Sequence, residues 1–180
     1  HYNPDGDNGT EFIELWNTSS NLVDLSGVSI SNGVRYLFAD NTTLAPGAFL
    51  LVVEDTEAFA ERYQDPTSPW YWPGLNVAGQ WVGGLSKSGE TLTLLASNNT
   101  EILSVPYRAD GDWPETADGD GSSLELRTAG FTPTNQPALN RHLADGRNWR
   151  ASSLYHWSPG RFDTFSSPVR INEVLPHTDV

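Results

Sequence analysis

The residues of this chain whose type and spacing could do chemistry are first of all carboxylates at alternate positions. Asp5-Gly6-Asp7-Asn8-Gly9, followed by Glu11, separates oxygen ligands by small residues, and such a run can converge on a hard cation such as calcium. No Glu stands at the twelfth position of an EF-hand-like loop, so a polar β-turn with solvated charges explains the same residues. Asp110, Asp112, Asp118 and Asp120, around Trp113-Pro114, form a second candidate calcium cluster, again with a turn as the plain alternative. Trp70, Tyr71 and Trp72, bracketed by Pro69 and Pro73, could present aromatic faces to sugar rings. Such a loop more often packs over an apolar sheet face or into an interface, where Trp and Tyr are enriched.

Catalytic signatures are harder to find. The chain has neither the G-x-S-x-G elbow of a serine hydrolase nor a phosphate-binding P-loop. Zero cysteines exclude disulfides, thiolate zinc sites and thiol catalysis. His1, His142, His156 and His177 are scattered and fit no metal-ligand spacing. Glu11 and Glu14 are close enough in sequence for a glycosidase pair, but three residues apart on one strand they point to opposite faces. The residues therefore predict a protein that binds or assembles and is not an enzyme.

The 23 Asp and Glu against 10 Lys and Arg give a formal net charge of −13, with Lys87 the only lysine. That surface repels phosphate backbones, which excludes nucleic acid as a partner and leaves divalent cations and basic surfaces. No apolar run approaches the roughly 20 residues of a membrane-spanning helix, so no membrane insertion is expected, and any export signal is expected to lie outside the chain. Zero cysteines and zero methionines also remove the most oxidisable side chains, which suits an extracellular or cell-surface setting.

The elements that must position these residues are short. Apolar and polar residues alternate between Gly, Asn, Asp and Pro punctuation, which predicts strands at 11–16, 22–24, 28–30, 36–38, 49–53, 91–95, 102–105 and 123–127. So many short strands predict an all-β sandwich or barrel. One helix is expected at 56–63, with Asp55 as its cap, Ala58, Phe59 and Arg62 at helical spacing and Pro66 beyond it. Three long irregular stretches are expected, at 66–84, 109–121 and 132–154.

Several segments resemble a known family. Gly9-Thr10-Glu11-Phe12-Ile13-Glu14-Leu15-Trp16-Asn17 with Val23-Asp24-Leu25-Ser26-Gly27, then Gly83-Gly84-Leu85-Ser86-Lys87-Ser88-Gly89-Glu90-Thr91-Leu92-Thr93-Leu94, resemble the opening and the central hairpin of bacterial lamin-tail domains. Trp113-Pro114 with Asp118-Gly119-Asp120-Gly121-Ser122-Ser123-Leu124-Glu125-Leu126, and Asn148-Trp149 through Ser158-Pro159-Gly160, resemble that family's later motifs. The resemblance covers most of 9–162 and implies an immunoglobulin-like β-sandwich with one short helix and long loops. It favours Asp118 and Asp120 as turn formers, and Trp113, Trp149 and Trp157 as core. Gly27, Gly83, Gly84 and Gly89 are expected where turns or bulges need positive φ or close backbone approach.

Domains of the family usually begin with a strand written like Ile-Asn-Glu-Val, directly ahead of the segment that here reads His1-Tyr2-Asn3-Pro4-Asp5. That strand is found instead as Ile171-Asn172-Glu173-Val174, followed by Leu175-Pro176-His177-Thr178-Asp179. The expected organisation is a sandwich over 1–162, a linker over 163–168, and a terminal strand over 169–180 in which Val169, Ile171, Asn172, Glu173, Val174 and Leu175 would do the pairing. Three arrangements fit: donation of that strand to the next copy, giving head-to-tail polymers; folding back into its own domain; or membership in the next module of a tandem array. The expected partners are copies of the chain or adjacent repeats. The alternative function is a ligand-binding accessory domain, for calcium, carbohydrate or a cell-surface protein, within a larger secreted protein.

Overall fold

A computed structural model describes residues 1–6, 9–127, 131–154 and 159–161. The strands are β1 Phe12–Trp16, β2 Val23–Asp24, β3 Ser29–Ser31, β4 Val34–Leu37, β5 Thr43–Leu44, β6 Phe49–Val53, β7 Val77–Gln80, β8 Val82–Gly83, β9 Gly89–Leu95, β10 Glu101–Arg108, β11 Leu124–Leu126 and β12 Trp149–Ala151. Two α-helices accompany them, α1 Thr56–Tyr63 and α2 Gln136–Leu143. The expected all-β, immunoglobulin-like sandwich is present.

Its two main sheets run β1-β6-β7 and β10-β9-β3-β4-β8. Between them lies the larger core, with Ile30, Val34, Phe38, Leu50, Val52, Trp81, Leu94 and Tyr107 buried. β6 faces two ways, since Leu50 and Val52 enter this core while Leu51 and Val53 join Phe12, Phe59 and Tyr63 in a second cluster. All four of those β6 side chains are buried, which is why Phe49-Leu50-Leu51-Val52-Val53 reads as a continuous apolar run and not an alternation. Helix α1 supplies the layer over the second face. Asp55 caps it by accepting from the N–H groups of Glu57 (2.8 Å) and Ala58 (3.0 Å). Because α1 lies between them in sequence, β6 and β7 pair in parallel, as a crossover allows.

The irregular stretches hold more structure than expected. The first closes at Asn76, and β7 and β8 follow it; the last contains α2 and β12. Helix α2 starts at Asn135, whose side chain accepts from the Ala138 N–H (2.9 Å), with Pro137 inside the first turn where a missing N–H costs nothing. Gly89 justifies its expected role: its φ is +105° and a Cβ there would sit 2.6 Å from the Tyr107 carbonyl oxygen. Gly27 and Gly83 also have positive φ, whereas Gly84 does not and has open space around it. The linker 163–168 and terminal segment 169–180 lie outside the described residues, as do Asp7, His156, Trp157 and His177. No described helix is long and apolar enough to cross a membrane.

Replacing Leu51, which is fully buried between β1, β7 and α1, by Ala is expected to cost about 2–5 kcal/mol in urea unfolding. Leu37→Ala, on a side chain 67% exposed, is expected to change stability by less than about 0.5 kcal/mol.

Candidate functional site at the outer edge of the first strand

Among the described residues β1 lies at the end of its sheet, with β6 on one side. The Asn17 N–H donates to Ala48 (3.1 Å) and the Glu54 N–H donates to Glu11 (3.0 Å) at the two ends of the pairing. In an antiparallel ladder this phase turns the backbone groups of Ile13 and Leu15 toward β6, and those of Phe12, Glu14 and Trp16 the other way. Phe12 is met there by His1, whose carbonyl accepts from the Phe12 N–H (3.2 Å) and whose nitrogen donates to the Phe12 carbonyl (2.7 Å). His1 thus occupies a strand position beside β1. Among the described residues no strand lies beside Glu14 on that side.

Two carboxylates on this strand are unusual. Glu11 is 6% exposed, next to Leu85 and Tyr107 on the side of the main core. Burial, with the neighbouring Glu54 carboxylate, pushes its carboxyl up to about 7, against a hydrogen bond from the Leu85 backbone. Glu14 faces the other way and accepts from the Gly160 N–H (2.5 Å). Burial also pushes its carboxyl up to about 7, in spite of that bond. Lying on opposite faces of one strand, the pair cannot flank a single scissile bond.

The other candidate residues are spread over the surface. Asp110 and Asp112 line an open depression of about 380 Å³ with Arg108, Arg141 and Asp145. Asp112 comes within 4.0 Å of Arg147, and Asp118 accepts from the Asn3 side chain (2.7 Å), holding the first residues to the turn before β11. Asp5 is half-buried and Asp120 exposed. Among the described residues no three His, Asp or Glu side chains are grouped so as to hold a metal ion. Trp113 is buried and Trp149 packs beside it, 5.7 Å between ring centroids.

Trp70, Tyr71 and Trp72 remain 41%, 38% and 37% exposed and do not fold into either core. Sequence reasoning missed their neighbours. The Arg62 guanidinium lies 4.8 Å from the Trp70 ring and that of Arg161 lies 3.7 Å from the Trp72 ring. Helical spacing places Arg62 on the last turn of α1, near the loop it enters, but nothing in the sequence signals Arg161.

Residues 1–109 match the Lamin Tail Domain family. The chain belongs to that family. The matched residues take in β1 to β10, hence both main sheets of the lamin-tail domain and the edge at β1, and stop before β11, α2 and β12. No curated protein and no solved structure matches the chain.

Because Glu11 and Glu14 hold their protons to about pH 7 when folded, against about 4.5 for an ordinary carboxyl, the folded chain binds more protons than the unfolded one between those values. The contribution of these two carboxyls to stability is therefore expected to fall as pH rises from about 4.5 to about 7 and to level off above. The combined Glu11→Gln, Glu14→Gln variant should show a flatter profile of melting temperature against pH. Parallel profiles for variant and parent would refute this assignment.

Proposed function

We propose that the chain is an extracellular structural module that assembles through the outer edge of β1, by accepting a strand of the kind written at Ile171–Val174. The observation that carries this reading is the pairing of His1 with Phe12, which sets the register of any strand laid along the edge. If Leu175 corresponds to His1, as the order of the family motif requires, an antiparallel strand puts Val174 opposite Ile13, Glu173 opposite Glu14, Asn172 opposite Leu15 and Ile171 opposite Trp16. Val174 then faces the main core with Ile13, and the outward backbone groups of Glu14 gain partners. Residues ahead of His1 in a longer chain could fill the same place.

The path of the chain supports a supply from its own C-terminal segment. Gly160 is hydrogen-bonded to Glu14, so the chain passes over β1 just before that segment begins. From Gly160 to Ile171 it can extend to roughly 36–40 Å, enough for its own edge or that of a neighbour. Donation between copies is head to tail, and where rotation does not close the ring it yields filaments.

Removal of residues 169–180 tests the proposal. Donation between copies predicts concentration-dependent oligomers in the parent and monomers in the truncated chain. Closure within one chain predicts monomers throughout, with a melting temperature lowered by several degrees on truncation and restored by a peptide of residues 169–180. If truncation alters neither size nor melting temperature and the peptide does not bind, the edge does not accept this strand.

A further inference from the structure

Five of the ten basic side chains gather around Trp113. Arg108 and Arg141 line the depression described above, and Arg127, Arg147 and Arg150 line a second one that shares Asp112 and Trp113 with it. Four of the five follow the residues matched to the lamin-tail family. Two are neutralised within the chain, since Asp145 accepts twice from Arg147 (2.9 and 2.7 Å) and Glu125 lies 2.7 Å from Arg150. Arg127 donates through Nε to the Trp149 carbonyl (3.2 Å). Arg108, Arg127 and Arg141 are exposed, and among the described residues none of them pairs with a carboxylate, although Asp110 and Glu115 line the same depressions. In a chain with 23 Asp and Glu, these planar, forked donors are left to a carboxylate from outside.

A surface that could supply such carboxylates is present on the chain itself. Glu57 and Glu61 lie one turn apart on α1, with Asp65 just beyond its end, and all three are exposed. Like charges at this helical spacing repel, and Glu61 sits toward the C-terminal end of the helix, where the dipole disfavours a carboxylate. Among the described residues no cation pairs with any of the three. The ridge therefore carries an electrostatic cost that a cationic partner removes. Helix α1 covers the sheet β1-β6-β7, whereas Arg108 ends β10 in the other sheet, so the two surfaces belong to different parts of the fold. A single exposed ion pair contributes little, but several guanidinium groups meeting several carboxylates act as a network. The repulsion between two chains of net charge −13 is screened beyond about 10 Å at moderate ionic strength, while groups in contact are not.

We infer that the arginine surface around Trp113 receives the acidic α1 ridge of a second copy of this chain. The contact is heterologous and repeats head to tail. It rests on the reading of the chain as an assembling module but not on strand pairing at β1, because side chains make it and the backbone edge takes no part.

Sedimentation velocity of the full chain over a range of concentrations tests this with two charge-reversed variants, each retaining residues 169–180. Arg108→Glu with Arg141→Glu, and separately Glu57→Arg with Glu61→Arg, should each weaken association at least about tenfold, because like charges then face each other across the contact. An equal mixture of the two variants should recover the association of the parent, since each reversed surface meets its complement on the other variant. Arg108→Gln with Arg141→Gln, expected to weaken association several-fold, serves if the reversed arginine pair does not fold. Equal association of parent and variants would overturn the inference. Loss in both variants without recovery in the mixture would also overturn it, and would assign the arginines to a different acidic partner. A parent that stays monomeric throughout would overturn it too, while leaving closure of the β1 edge within one chain intact.

Discussion

A strand buried on both faces needs a layer on each side, and β6 is such a strand. Leu50 and Val52 demand one sheet, Leu51 and Val53 another apolar layer, and the chain meets the second demand with a single helix placed directly after the strand. Several consequences follow from that constraint. The return from α1 must run the same way as β6, so β7 pairs in parallel within a fold otherwise built from antiparallel neighbours. The long connection this crossover needs is the place where the aromatic loop sits. On the other side of β6, β1 has to serve both layers, with Phe12 in the helix-side cluster and Ile13 and Leu15 against the main core.

Among the described residues, β1 of the lamin-tail domain lies at the end of its sheet. Hydrogen-bond phase alone decides that Phe12, Glu14 and Trp16 turn their polar backbone groups outward, and one strand position there is already taken by His1. Exposed edges are liabilities in most β-proteins because they pair with whatever strand is offered. Here the neighbouring side chains are carboxylates in apolar surroundings, so the strand is weakened in its ionised state and strengthened when those groups are protonated.

Much of this was legible in the sequence, for identifiable reasons. The apolar run of β6 and the cap and spacing of α1 are local signals, and both elements fall at the expected residues. Strand β9 is announced by alternation along Thr91-Leu92-Thr93-Leu94, with Gly89 at its first position. What escaped reading is held by distant partners. β7 is a strand because a crossover lays it against β6, and Val77-Ala78-Gly79-Gln80 has no alternation to reveal it. β12 exists because Leu124–Leu126 pairs with it. Helix α2 sits in a polar, proline-containing stretch and is held by the Gln136 amide on the Ile102 carbonyl and the Asn140 amide on Glu101. At the site, carboxylates on a strand look solvated in sequence, and only the packing of Leu85, Tyr107 and Gly160 around them reveals otherwise.

The short closing motif links the outer edge of β1 to the loop between α1 and β7. Gly160 binds the Glu14 carboxylate through its backbone, and Arg161, the next residue, stacks on Trp72. A Cβ at Gly160 would meet the end of the Leu75 side chain at 2.7 Å, and its φ of +73° is one that favours glycine. The motif therefore acts as a clasp between β1 and the aromatic loop. Protonation of Glu14 removes the charge that strengthens its bond to the Gly160 N–H. The state of one carboxyl at the sheet edge thereby bears on the seating of Arg161 against the exposed indole.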